Sequence, residues 1–149
     1  MKYEISEVEW NNGRLNEYSS SWNQIATTLY EDKNFGLDLK KKLKSLDLQV
    51  INAKKLEGKD QVKFLYDFVR ENFTWNREYG VYTDNIKKAV EVRKGNIAEI
   101  NLILCNLLQK AEINAVPALI KSRGRGLQDP DFPGPVSYTH LTLPTICSV

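Results

Sequence analysis

The stretch that most constrains this chain is residues 94–120, KGNIAEINLILCNLLQKAEINAVPALI. After the turn at Gly95, Asn96 is a good helix N-cap. Glu99, three residues later, can reach back to the Asn96 amide to form a capping box. The helix that follows is predicted to run to about Lys110. Ile97, Ile100, Leu104, Leu107 and Ala111 recur at helical spacing, and Leu102, Ile103, Cys105 and Leu108 fill much of the remaining circumference. A helix that is apolar nearly all round is a buried one. It is therefore the expected centre of the core, with a strand over residues 115–120 beside it. Leu104 and Leu108 are expected to be nearly fully buried. Asn101 is expected to tie the helix to a neighbouring backbone segment, because a buried amide needs partners.

The preceding chain reads as helices joined by short loops. Ser21 with Gln24 forms a capping-box pattern ahead of an apolar stripe at Trp22, Ile25, Ala26, Leu29 and Tyr30. A second helix starts near Gly36 and carries Leu39 and Leu43 to about Ser45. Residues 46–56 alternate like a strand but also suit a helix or an irregular segment. Asp60 is placed to cap a helix whose face is Val62, Leu65, Tyr66, Val69 and Phe73. Residues 76–84 read as a loop. Asp84 or Asn85 caps a short helix carrying Ile86, Ala89 and Val90. Residues 122–126 and 129–134, rich in Gly, Pro, Arg and Asp, are loop chemistry.

With 149 residues, 42% of them hydrophobic and 27% charged, the chain suffices for one globular domain with a real core. A net charge of +2 points to no nucleic-acid partner. The only dense basic run, Lys40, Lys41 and Lys42, reads as a solvated helix face. Two cysteines, Cys105 and Cys147, give neither a disulfide framework nor metal-ligand spacing, and a single histidine, His140, leaves no basis for a His-built metal site. No cofactor motif is present. No apolar run reaches transmembrane length, and the first residues do not open a signal peptide; the compartment stays open.

The central stretch resembles the transglutaminase-like family of the papain-like cysteine-enzyme superfamily. Its motif is Gly-x-Cys opening a buried helix, then L-L-r-x-x-G-I-x-A leading into a strand. Gly95, the run from Leu107 to Lys110 and then Ile113, Asn114 and Ala115 carry the match. Residues 66–76 and 80–82, with Gly95, Ala98, Glu99, Ile100 and Asn101, are similar to a subfamily common in Bacteroidetes. The resemblance spans roughly residues 20–133. It implies an α/β (α+β) fold: a partial transglutaminase-like core, mostly helical, with a central buried helix and few strands. It also places the nucleophile position at Ile97, whose side chain has no nucleophilic chemistry.

The same resemblance divides the chain. Residues 1–18 read as the end of a preceding β domain, a hairpin turning at Asn11, Asn12 and Gly13. Residues 19–134 form the transglutaminase-like core, read as truncated before the strands that bear the family's His and Asp. Residues 135–149 resemble a translated transposase-based sequencing adapter, matching its frame from Pro135 to Thr145. A native continuation after Gly134 is expected to differ, and residues 135–149 to make few specific buried contacts, with Tyr138 or Leu141 free to add a strand opportunistically to the open edge at residues 115–120.

Two function classes stand. One is a non-catalytic transglutaminase-like domain that binds a peptide or protein or serves as a structural module. Its groove candidates are Trp75, Tyr79 and Asn96. The other is a cysteine peptidase or amidase acting through another residue. A thiolate needs a base and an orienting group within reach. Asp129 and Asp131 fill neither role, and His140 falls in the adapter-like tail. Cys105, two turns inside an apolar helix, reads as an inert core thiol. Arg123 and Arg125 read as solvated loop cations. No catalytic residue and no metal ligand is assigned.

Overall fold

The computed structural model describes residues 22–120 and, beyond them, the backbone of strand residues 10–11, 14–15 and 140–142. Strands β1 (Trp10–Asn11) and β2 (Arg14–Leu15) pair antiparallel around the Asn12-Gly13 dipeptide. Helices α1 (Trp22–Glu31), α2 (Gly36–Leu39), α3 (Asp47–Ala53) and α4 (Gly58–Asn72) follow, with a 3-10 turn at Lys44–Leu46. Strand β3 (Thr74–Trp75) leads to α5 (Ile86–Val92), then β4 (Lys94–Gly95), α6 (Ile97–Lys110) and β5 (Ala118–Ile120). The described chain is thus mostly helical, with short strands in three separate pairs.

The centre is α6, as its composition requires. Nine residues from Ala98 to Leu108 are buried, including Leu102, Ile103, Leu104, Cys105, Leu107 and Leu108. Helices α2, α3, α4 and α5 all pack on it. Leu65 and Val69 of α4, Ile86, Ala89 and Val90 of α5, and Leu46, Val50 and Ala53 from the α3 segment complete the shared core.

Several expectations are corrected by what the neighbours do. The second helix ends at Leu39 rather than near Ser45. Asn106, buried on α6, donates from Nδ2 to the carbonyls of Leu39 at 2.5 Å and Lys41 at 3.0 Å. Those carbonyls would otherwise accept from amides one turn later, so the chain leaves the helix there. The basic run at Lys40–42 is therefore not a helix face. Asn106, which the sequence did not single out, makes a tie of the kind expected of Asn101; Asn101 Nδ2 donates back to Ile97 O at 2.8 Å. Of residues 46–56, Asp47–Ala53 are α-helix, because Leu46, Val50 and Ala53 together face the core, and residues 54–56 turn out of it.

The fourth helix starts two residues before Asp60. Gly58 takes φ +56° and turns the chain into the helix behind Glu57, which makes no side-chain cap bond. Asp60 sits in the first turn, where the helix dipole favours a carboxylate. Tyr66, expected on the apolar face, is exposed, with the Arg70 guanidinium 5.8 Å from its ring centre. Of the α1 stripe, Ile25 and Leu29 are buried but Ala26 and Tyr30 are not. The strand after α6 spans only Ala118–Ile120, beginning after Pro117, which has no N–H to give a ladder.

β6 (His140–Thr142) pairs antiparallel with β5, Leu141 opposite Leu119, as expected of an added strand. The expectations for residues 1–9, Ser21 and the loops at 121–139, with Arg123, Arg125, Asp129 and Asp131, lie outside the described residues, as does most of the adapter-like tail.

Because the cavity left by a core truncation is closed only partly, Leu104→Ala should lower unfolding free energy by about 2–5 kcal/mol in urea titration. A loss below about half a kcal/mol would place α6 at the periphery and sink this account of the core.

Candidate functional site

The start of α6 is built by three segments converging on Gly95, Asn96 and Ile97. The expected capping box is present: Asn96 Oδ1 accepts from Glu99 N at 2.8 Å, and Glu99 Oε2 accepts from Asn96 N at 2.9 Å. Glu99 does more than cap. Its Oε1 accepts the amide of Asn85 at 2.8 Å, so one carboxylate, only 5% exposed, joins the start of α5 to the start of α6. Asn85 in turn caps α5 through its side chain, which accepts from Lys88 N. This double use explains Gly95. A Cβ there would lie 2.6 Å from Glu99 Oε2 and 3.1 Å from Ala89 Cβ, so any side chain would push the carboxylate out of place.

The loop at 76–85 wraps this helix start. Thr74 N donates to Arg93 O at 2.9 Å and Asn76 N to Gly95 O at 3.0 Å, which lays β3 parallel to β4 with Trp75 opposite Gly95. Ile97 N donates to Glu78 O at 3.2 Å. Asn96 Nδ2 donates to Tyr82 O at 3.2 Å. Thr83, buried, anchors the loop to α2: its amide and hydroxyl reach Asn34 O, and Oγ1 also meets Asp38 Oδ2 at 2.5 Å. The other Asp38 oxygen pairs with Lys41. Thr83 and Asp38 are as buried as the core leucines, and sequence reasoning passed over both. The legible trace was an acidic residue inside a short apolar helix, a position that burial makes costly without a partner.

Of the groove candidates, Trp75 and Tyr79 do come together. Their rings meet edge to face at 4.9 Å, and Trp75 Nε1 donates to Glu78 O at 2.9 Å. Glu78 Oε2 accepts from Asn76 Nδ2 at 2.6 Å, closing the turn beneath them. Trp75 is 38% and Tyr79 65% exposed, so the pair stands on the surface beside Ile97 rather than in the core. Asn96, the third candidate, is buried and fully engaged as a cap; it belongs to the frame of the site, not to its surface. The Tyr82 phenol is pushed above its ordinary pKa, first by burial and then by the charge of Asp32.

Chemically, this helix start holds no nucleophile. Ile97 is half-buried at the first helical position. Its amide is occupied by Glu78 O, the Glu99 amide by Asn96 Oδ1, and the Glu99 carboxylate adds negative charge in the same turn. A helix N-terminus favours a thiolate when its N–H groups and dipole are available to the anion; here they serve the fold. Cys105 lies deeper in α6, fully buried, with Sγ 3.6 Å from Ala115 O, and burial pushes its thiol up to about 12. No group of three or more His, Cys, Asp or Glu side chains among the described residues could hold a metal ion. No described helix is long and apolar enough to cross a membrane.

An apolar hollow of about 210 Å³ opens elsewhere, among Ile25, Ala26, Leu29, Tyr30, Pro117 and Leu119. Ligand pockets hold roughly 300–1,000 Å³ and a few convergent polar groups, which this hollow lacks. Set beside models of known families, curated proteins and solved structures, the chain matches none.

Two outcomes follow from this geometry. Glu99→Ala strips the buried Asn96 amide and the part-buried Asn85 amide of their acceptor and should cost about 1–3 kcal/mol for the first and less for the second, read by thermal or urea unfolding, with both amides losing hydrogen-exchange protection. An unchanged midpoint would mean the carboxylate is not the link between α5 and α6. At pH 8, iodoacetamide should leave Cys105 unmodified in native protein and label it after unfolding, as read by peptide mapping. Because the folded thiol titrates above the unfolded one, its contribution to stability is complete below about pH 9 and is lost as pH rises toward about 12.

Proposed function

We propose that this chain is a non-catalytic transglutaminase-like domain that binds an extended peptide or protein segment beside the start of α6. The observation that carries the reading is Ile97 at the first position of the buried helix, its amide held by Glu78 O, with the exposed Trp75–Tyr79 pair next to it. Two further features support the family reading. Glu112 takes φ +67° at the position of the motif's glycine, one residue before Ile113, where a left-handed residue ends α6. Gly95 is sterically required beside Glu99, in the stretch the motif also marks with glycine.

Aromatic pairs held by a rigid turn make good anchors for a ligand, since they offer large contact area with little side-chain entropy to lose. The parallel β3–β4 pair beneath them supplies backbone for an extended segment to follow. Among the described residues, the other reading, a cysteine peptidase or amidase working through a different residue, has only Cys105 to use, and burial holds that thiol protonated at neutral pH.

The test has a catalytic arm and a binding arm. Ile97→Cys should turn over no amide substrate above an Ile97→Ala control, because the described residues bring no base to position 97. Turnover by the cysteine variant would overturn the non-catalytic reading. Peptides selected from a random phage-displayed library should bind, and Trp75→Ala with Tyr79→Ala should weaken them about tenfold or more. Full retention of affinity in that double variant would remove Trp75 and Tyr79 from the binding surface.

A further inference from the structure

We propose that the outward face of α3 is a peripheral docking surface for an anionic lipid bilayer. The argument starts from a broken pattern. Leu46, Val50 and Ala53 point into the core, so the opposite face of α3 meets solvent and ought to be polar. It carries Leu48, 70% exposed, and Ile51, 55% exposed. Exposed lysines flank the helix in the chain, Lys44 in the 3-10 turn that leads into it and Lys55 in the turn that follows it, where Nζ donates to Asn52 Oδ1 at 3.3 Å. Lys40 and Lys42, just upstream, are also exposed.

The acidic residues nearby are already used. Asp38 pairs with Lys41, Asp47 with Lys110 at 3.2 Å and Glu112 with Lys54 at 2.5 Å. Glu57, at the foot of α4, is the exposed exception. Lys40, Lys42 and Lys44 have no carboxylate partner among the described residues, so their charge is open to an outside anion.

The composition selects the occupant. Protein–protein interfaces are enriched in aromatic residues, Met and Arg and depleted in Lys; the exposed residues of α3 are Leu48, Ile51, Asn52 and the Lys110-paired Asp47, with lysines before and after them and no aromatic residue, Met or Arg. Lysines flanking short aliphatic side chains suit the headgroup layer, where ammonium groups meet anionic lipids and the apolar tips enter the acyl boundary. The helix is backed by the core through Leu46, Val50 and Ala53, so Leu48 and Ile51 project from a fixed support. The chain would lie on the membrane by this face without crossing it.

Co-sedimentation of the full chain with phosphatidylcholine vesicles containing about 30 mol % phosphatidylserine, against pure phosphatidylcholine, tests this. At about 50 mM salt the anionic vesicles should retain at least about fivefold more protein, and about 300 mM salt should abolish the difference. Leu48→Ser with Ile51→Ser, and separately Lys44→Glu with Lys55→Glu, should each reduce retention about fivefold while the thermal midpoint stays put, since all four side chains are surface groups. Equal retention on both vesicle types overturns the proposal. Undiminished retention by the serine variant reduces the effect to diffuse charge and also overturns it. Absence of vesicle binding with Lys44- and Leu48-dependent binding to an acidic, leucine-bearing peptide would give the face to a protein partner instead.

Discussion

One carboxylate holds the functional end of this fold together. Glu99 accepts backbone amides from both Asn85 and Asn96, so the starts of α5 and α6 are fixed to each other through a single buried side chain. The positions of Gly95, Asn96 and Ile97 follow from it, and so does the path of the loop whose carbonyls at Glu78 and Tyr82 complete the turn. A buried carboxylate is tolerated because two charge-assisted bonds and the positive end of the α6 dipole meet it there. Both α5 and α6 depend on the same carboxylate, one through each oxygen, so neither helix start is independent of the other.

That arrangement also limits the chemistry. In a helix start built to activate a nucleophile, the free N–H groups are the resource. Here they are spent on Glu78 O and on Asn96 Oδ1, and the strongest nearby charge is negative. The isoleucine at position 97 is consistent with a helix start that serves architecture. What faces outward is aromatic: Trp75 and Tyr79, set by a five-residue turn whose internal bonds come from Asn76 and Glu78.

The second organising contact lies near the far end of α6. Asn106 reaches two carbonyls of the chain leaving α2 and so decides where that helix stops. Beyond it, Gln109 Nε2 donates to Ala115 O at 2.8 Å, and Ile113 N to Leu108 O, turning the chain back toward β5. Polar groups embedded in an apolar helix thus serve as its joints: Glu99 at the start, Asn106 in the middle and Gln109 at the end. Each satisfies backbone groups that lie between elements and that no ladder reaches.

The sequence alone determined the parts of this protein that depend on local chemistry and on periodicity. The burial of α6, its Asn96–Glu99 capping box, a cap for α5 at Asp84 or Asn85 and the burial of Cys105 were all legible, because side-chain period and short-range hydrogen bonding are written in neighbouring residues. The early end of α2, the helical state of residues 47–53, the link from Glu99 to Asn85 and the Thr83–Asp38 contact were decided by the tertiary structure. Each rests on a partner 14 or more residues away or on a face chosen by packing. The outward Leu48 and Ile51 show the same division: the alternation of residues 46–56 left their face open, and the placement of Leu46, Val50 and Ala53 in the core turned them to the surface. A period in the sequence fixes which residues share a face; what that face meets is set by the elements that fold against it.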